Sequence, residues 1–399
     1  MYTSASSAGS PVAGSQSPSA RSSSSSKPSV RRVGRSARSI AHPSAVGGPP
    51  PETCERVECL DSAFAQVRGG DAPLVHGWAW MNFSWFASAY DTDDPLYRVV
   101  TLVQMAGVLV LAAGVPRAFA DSDFTVIWFG YLVMRLAMVA QWLRAALACR
   151  GAERRTALRY ALGVTVCQIG WLGLLAVPRG DVPWVFVVVG PMELAVPALA
   201  ERERGTSWHP RHIAERYGLF TLIVLGETIA AATLAVQSAL DEHAGLGTLL
   251  PVAGGGLLLV FAAYWIYFAA PVHRHLRSNR QAFLWGYGHY LVFGSAAAVG
   301  AGIEVAVEEA SGAARLSAFA AAACVTVPAA LFMATVWLIH SRHQKRGPAQ
   351  QLVLPVCSLL VLACTLAGHW AVPAAGLVAC GAVAAGVSLT SRQETALVE

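Results

Sequence analysis

Apolar stretches of about 17 to 25 residues, separated by short polar and charged clusters, recur along most of the chain, each long enough to cross a hydrocarbon core about 30 Å thick as a helix. They fall at residues 74–90, 97–116, 124–144, 157–177, 182–199, 213–239, 247–270, 284–306, 316–340, 352–368 and 371–389. In lipid every backbone polar group must find its partner within the protein, so apolar runs of this length predict helices. The pattern therefore predicts an all-α polytopic membrane protein of about eleven transmembrane helices. Residues 1 to about 72 lack it: they are rich in Ser, Pro, Gly and Arg, have no acidic residue before Glu52 and show no periodicity, which predicts a disordered tail. That tail also lacks the amphipathic spacing of a transit peptide and the apolar core of a secretory signal.

Charge sets the expected orientation. One set of loops and helix ends carries Arg144, Arg150, Arg154, Arg155, Arg159, Arg202, Arg204, Arg211, Arg216, Arg274, Arg277, Arg280, Arg342, Lys345 and Arg346, whereas the alternate set carries Arg117, Arg179 and Arg315. Lys and Arg favour the cytoplasmic side, so the first set is expected inside, together with the C-terminus. This places the residues before Trp78 outside, although the tail is basic (Arg21, Lys27, Arg31, Arg32, Arg35, Arg38). One further helix ahead of residue 74 would remove the conflict.

An internal echo points the same way. The aromatic spacing of Ala79-Trp80-Met81-Asn82-Phe83-Ser84-Trp85-Phe86-Ala87 returns in Ala263-Tyr264-Trp265-Ile266-Tyr267-Phe268-Ala269, and the four spans after each stretch match in order and direction. The second copy is preceded by the span 213–239; the first has no counterpart to it. Two parallel six-helix repeats, the first without its opening helix, account for both observations. The expected organisation is a tail (1–72), a five-helix repeat (73–199), a cytoplasmic linker (200–212), a six-helix repeat (213–390) and a cytoplasmic end (391–399).

Composition narrows the function. Of 399 residues 55% are hydrophobic and 13% charged, against about 25% charged in soluble domains. The formal charge of +5 is spread over loops and tail instead of forming one basic face, which argues against a nucleic-acid partner. Six of the eight Cys lie in or beside apolar segments, and Cys54 with Cys59 forms a lone pair without the second pair of a zinc site. No metal site and no cofactor are expected. The loops are too short for a soluble catalytic domain and hold no Ser/His/Asp triad or phosphate-binding glycine loop, so an enzyme is not expected. Gly254-Gly255-Gly256 suits a close helix crossing.

Ionisable groups within the spans are the candidates for chemistry, because a charge at the bilayer centre costs about 2.5 to 3.5 kcal/mol on insertion scales. At 100° per residue His212, Glu215, Arg216, Leu219, Ile223, Gly226, Glu227, Ala230 and Thr233 share one stripe of a helix. One reading is a polar seam inside the bundle, with Glu227 as an intramembrane ion or proton site and His212, Glu215 and Arg216 as a cytoplasmic gate. The other has Glu215 and Arg216 capping the helix and Glu227 hydrogen-bonded to a neighbour. Arg135 lies mid-span and calls for a carboxylate, Glu227 or Glu193. Glu193 follows Gly190-Pro191-Met192, where the proline either opens the helix around the carboxylate or only kinks it. His289 reads as a satisfied core histidine. Asp91, Asp93 and Asp94 read as a solvated turn before Pro95.

Ala214-Glu215-Arg216-Tyr217-Gly218-Leu219-Phe220 followed by Ile223-Val224-Leu225-Gly226-Glu227-Thr228 resembles the signature of the bacterial low temperature requirement A (LtrA) family. Trp78-Ala79-Trp80-Met81-Asn82-Phe83-Ser84-Trp85-Phe86 with Tyr90-Asp91-Thr92-Asp93-Asp94, and Gln104-Met105-Ala106-Gly107 before Val115-Pro116-Arg117-Ala118-Phe119, are similar to other segments of that family. The resemblance covers about residues 76–390 and implies a multi-pass protein of the bacterial plasma membrane whose biochemical activity is not established. Members usually open with a helix of the type Glu-Leu-Phe-Phe-Asp-Leu-Val-Phe-Val, which nothing here matches. The expected function is a proton- or cation-linked transporter or channel for a small solute or ion, with the lipid bilayer as its surroundings. The alternative is a non-transporting membrane protein that supports growth in the cold.

Overall fold

The computed structural model describes residues 72–396 apart from positions 91, 93, 204, 242–244, 270, 314–315 and 344–346. The predicted tail, Cys54, Cys59, Asp91 and Asp93 lie outside the described residues. Eleven long helices follow one another: α1 Ala72–Tyr90, α2 Pro95–Asp121, α3 Thr125–Ala148, α4 Gly151–Trp171, α5 Val182–Ala200, α6 Pro210–Asp241, α7 Leu246–Phe268, α8 Asn279–Ser311, α9 Ala318–Ile339, α10 Pro348–Ala363 and α11 Ala371–Ala396. Among the described residues nine segments are long and apolar enough to cross a membrane. The last of them, Pro348–Ser391, takes in α10 and most of α11, while α1 is not among the nine.

The ends of these helices follow from local chemistry. Asp94 caps α2 by accepting the backbone N–H of Tyr97, and Pro95 occupies the first turn, where a missing N–H costs nothing. Ser278 and Ser317 cap α8 and α9 in the same way. Between α10 and α11 the chain tightens into a 3-10 run and turns at Gly368, whose φ of 56° suits a residue without Cβ. The expected span 352–368 therefore ends early, and α4 stops at Trp171, short of 177. At 33 residues, α8 is about 50 Å long at 1.5 Å per residue, longer than a hydrocarbon core is thick.

Neighbours in sequence are neighbours in space. Helices α2 to α5 pack one on the next, and α8 to α11 do the same, with α6 laid on α8 and α7 closed against α11. The apolar interior forms two clusters, one drawn from residues 86–200 and one from Met81 and residues 213–382. Helix α8 is the buried axis of the second half, with 72% of its apolar window enclosed, against 28% for α2. Helix α1 touches α2 and α3 on one side and α6 and α8 on the other.

Two glycines set the closest crossings of the second half. A Cβ on Gly255 of α7 would lie 2.6 Å from the nitrogen of Pro373 in α11, and one on Gly302 of α8 would run into the carbonyl of Cys324 in α9. Gly255 and Gly302 to Ala should each lower the unfolding temperature in detergent, at a cost of about 1–3 kcal/mol from overpacking. Gly226→Ala, with open space around it, should leave that temperature unchanged.

Candidate functional site

Arg135 of α3 and Glu193 of α5 form an ion pair, 2% and 5% exposed. One helical turn before Arg135, Tyr131 donates its hydroxyl to the Glu193 Oε1, and Trp171 Nε1 donates to Oε2 at 2.9 Å. The guanidinium also reaches the Tyr131 hydroxyl and lies 4.7 Å from the centre of its ring. Of the two carboxylates expected for Arg135, the structure selects Glu193. Helix α5 runs on through Pro191 and Pro197, so the carboxylate is held by side chains of α3 and α4 and not by an opened backbone.

The predicted stripe on α6 is a single face, but it faces away from the chain's own bundle. His212, Glu215, Leu219, Ile223, Gly226, Glu227, Ala230 and Thr233 are exposed and Arg216 half-buried, whereas the buried face of α6 is Ile213, Tyr217, Phe220, Thr221, Val224 and Thr228. Glu227 has no hydrogen bond or ion pair among the described residues. Glu215 meets Arg211 at 3.7 Å, and His212 stacks with His209 at 4.7 Å. The structure thus does not bring Glu227 to Arg135.

A different arrangement occupies the junction of the two halves, at the end of the bundle where the basic loops gather. A small open cavity is lined by Asn82 and Trp85 of α1, Trp142 of α3, Tyr160 of α4, Thr206 of the linker, and Phe283 and Tyr287 of α8, among others. Behind Tyr160 and Thr206 stands Glu201, the residue after α5. Its Oε1 accepts from the Tyr160 hydroxyl at 2.8 Å and the Thr206 hydroxyl at 2.9 Å, and its Oε2 from Asn279 Nδ2 at 2.6 Å. Trp208 Nε1 fixes Asn279 from the other side at 2.8 Å.

These donors, and the Thr206 backbone N–H beside them, are all neutral, and burial raises the Glu201 carboxyl above the usual range despite the hydrogen bonds. Two residues on, the exposed Glu203 is held below that range by hydrogen bonds from Arg159 and Arg155. Asp94 lies lower too, through the N–H of Tyr97 and the Thr92 hydroxyl, with Arg144 adding its charge. In sequence Glu201 stands in the charge-alternating run Glu201-Arg202-Glu203-Arg204, the pattern of a solvated loop. Nothing in spacing separates the first glutamate from the second.

His289 is fully buried in α8, its Nε2 2.9 Å from the Tyr267 hydroxyl and its Nδ1 2.8 Å from the Trp285 carbonyl. His340, not singled out from sequence, packs 5.4 Å from it. Among the described residues no three His, Cys, Asp or Glu side chains converge as around a metal ion.

Comparison with known proteins gives a family. The family model described as bacterial low temperature requirement A protein (LtrA) matches residues 74–388. An uncharacterized protein of Rhizobium meliloti (strain 1021) is 28% identical over 199 residues, 48% of this chain and 47% of that one. The chain thus aligns with about half the length of this relative. No solved structure matches.

Removing one partner of a buried pair leaves an uncompensated charge, which costs about 3–5 kcal/mol. Arg135→Met and Glu193→Leu should each lower the unfolding temperature in detergent strongly. The double variant should recover most of the loss, because it buries neither charge.

Proposed function

This chain belongs to the bacterial low temperature requirement A family, and we propose that it acts in the bacterial plasma membrane, C-terminus inside, as a proton- or cation-linked transporter or channel for a small solute or ion. The observation that carries this reading is the cavity at the junction of the two halves. Transporters built from repeats hold their substrates between the repeats, where a small rocking of one half against the other exposes the site to alternate sides. Helix α1 is the element about which such a movement turns, since it packs on both halves.

The ionisable residues take distinct roles on this reading. Arg135 and Glu193 anchor α5 against α3 and release it when Glu193 takes a proton. Glu227 exchanges a proton or cation on the outward face of α6. His212, Glu215 and Arg216 serve as the electrostatic mouth at the inner end of that helix. No step here makes or breaks a covalent bond, and the protein works without enzymatic chemistry, metal or cofactor.

The complete set of partners around Glu193 favours a second reading, a non-transporting component of the membrane whose polar groups lock helices together. Reconstitution into liposomes separates the two. Transport predicts a proton, alkali-cation or anion flux above that of empty vesicles, slowed by Glu227→Gln without loss of unfolding temperature. Absence of every such flux, together with unchanged cold growth of a complemented strain carrying Glu227→Gln, would sink the transport reading.

A further inference from the structure

We infer that the cavity between the two halves, with Glu201 behind two of its lining hydroxyls, is a binding site for a small cation of the ammonium type. The inference names a substrate for the cavity and rests on the transport reading for its physiological role; binding itself is a separate matter. A carboxylate taken out of water is stabilised chiefly by a cation, and Glu201 has none within ion-pair distance among the described residues. Among the described residues Arg155 and Arg159 are engaged with Glu203 and Arg144 with Asp94, and the exposed Arg202 makes no ion pair with Glu201. What surrounds Glu201 instead is a set of neutral donors, two of which, Tyr160 and Thr206, also line the cavity.

That geometry passes the negative charge inward. A hydroxyl that donates to a carboxylate becomes a better acceptor on its own oxygen, because hydrogen bonds in series polarise one another. On this reading the cavity offers the hydroxyl oxygens of Tyr160 and Thr206, strengthened by Glu201. Four rings, Trp85, Trp142, Phe283 and Tyr287, make up most of the remaining wall beside Met81, Pro197 and Gly286, and aromatic rings draw cations through their quadrupole.

Few oxygens and many rings select the kind of cation. An alkali ion stripped of water needs a shell of oxygen ligands, which rings do not replace. An ammonium group needs two or three acceptors for its N–H bonds and accepts ring faces for the rest. Size limits the ligand as well, since the cavity has room for only a few water-sized groups. Ammonium and methylammonium fit that description; bulky quaternary amines do not.

The test uses the full chain in detergent, titrated at pH 7.5 and constant ionic strength with ammonium chloride, methylammonium chloride or potassium chloride. Trp85 and Trp142 line the cavity, so indole fluorescence reports occupancy, and the unfolding temperature reports linked stabilisation. Expected are a saturable fluorescence change and a rise in unfolding temperature with the two ammonium salts, neither with potassium, and an affinity about tenfold weaker in Glu201→Gln. If Glu201→Gln unfolds too readily to titrate, Thr206→Val carries the same expectation, because it removes a lining acceptor and leaves the carboxylate. An equal response to potassium, no saturable response, or unchanged affinity in the variant that can be titrated overturns the inference. Binding without flux in liposomes would remove the transport reading alone, and flux of another ion without ammonium binding would remove this inference alone.

Discussion

One helix has to serve two hydrophobic cores at once, and much of the molecule's organisation depends on how α1 does so. Met81 and Phe86 are five residues apart, about 140° around a helix axis, and the first belongs to the core of the second half while the second belongs to that of the first. Trp80 stacks on Phe220 at 4.7 Å on one side; Phe86 meets Trp142 edge-on at 4.8 Å on the other. Between these contacts Trp85 donates its indole N–H to the Tyr217 hydroxyl at 2.9 Å, a polar clasp between α1 and α6. Large rings meeting from three directions do not close the corner between the halves, and the cavity is the space they leave. Direct bonds across the halves, Tyr287 to the Leu194 carbonyl and Asn279 to Glu201, then set its rim.

Polar groups divide into two kinds in this apolar setting. Arg135 and Glu193 satisfy each other with Tyr131 and Trp171 in attendance, so the attraction between opposite charges offsets the cost of removing both from water. Glu201 and Glu227 are the other kind, carboxylates without a cationic partner among the described residues. Glu201 faces the junction and Glu227 the exposed side of α6. The asymmetry lies in the partners: Glu193 is held by a cation, Glu201 by neutral donors alone, and Glu227 by no described side chain.

The helices were legible because hydrophobic length is a strong signal when backbone groups have no water to turn to: each of the eleven apolar runs overlaps one long helix, although 157–177 and 352–368 overrun α4 and α10. The stripe on α6 was legible as a stripe, but periodicity gives the phase of a helix and not which face is covered. Tyr217, Phe220 and Val224 hold the interior while Glu227 and Gly226 stay outside. Arg135 announced a carboxylate partner, yet two candidates fitted its depth equally, and the choice of Glu193 came from tertiary packing of α3 against α5. Glu201 left no trace in the sequence, since its role comes from Tyr160, Thr206 and Asn279, which are brought together from three places in the chain.

The central claim is that the junction of the halves is the working site, and filling it tests that claim most directly. In a variant without native cysteines, a single cysteine at Phe283 can be labelled with a bulky maleimide after reconstitution, with Leu147, 82% exposed and away from the cavity, as the control position. The account predicts that the label at 283 stops methylammonium-driven flux in liposomes and that the label at 147 leaves it intact. Undiminished flux through a cavity filled at 283 would contradict it.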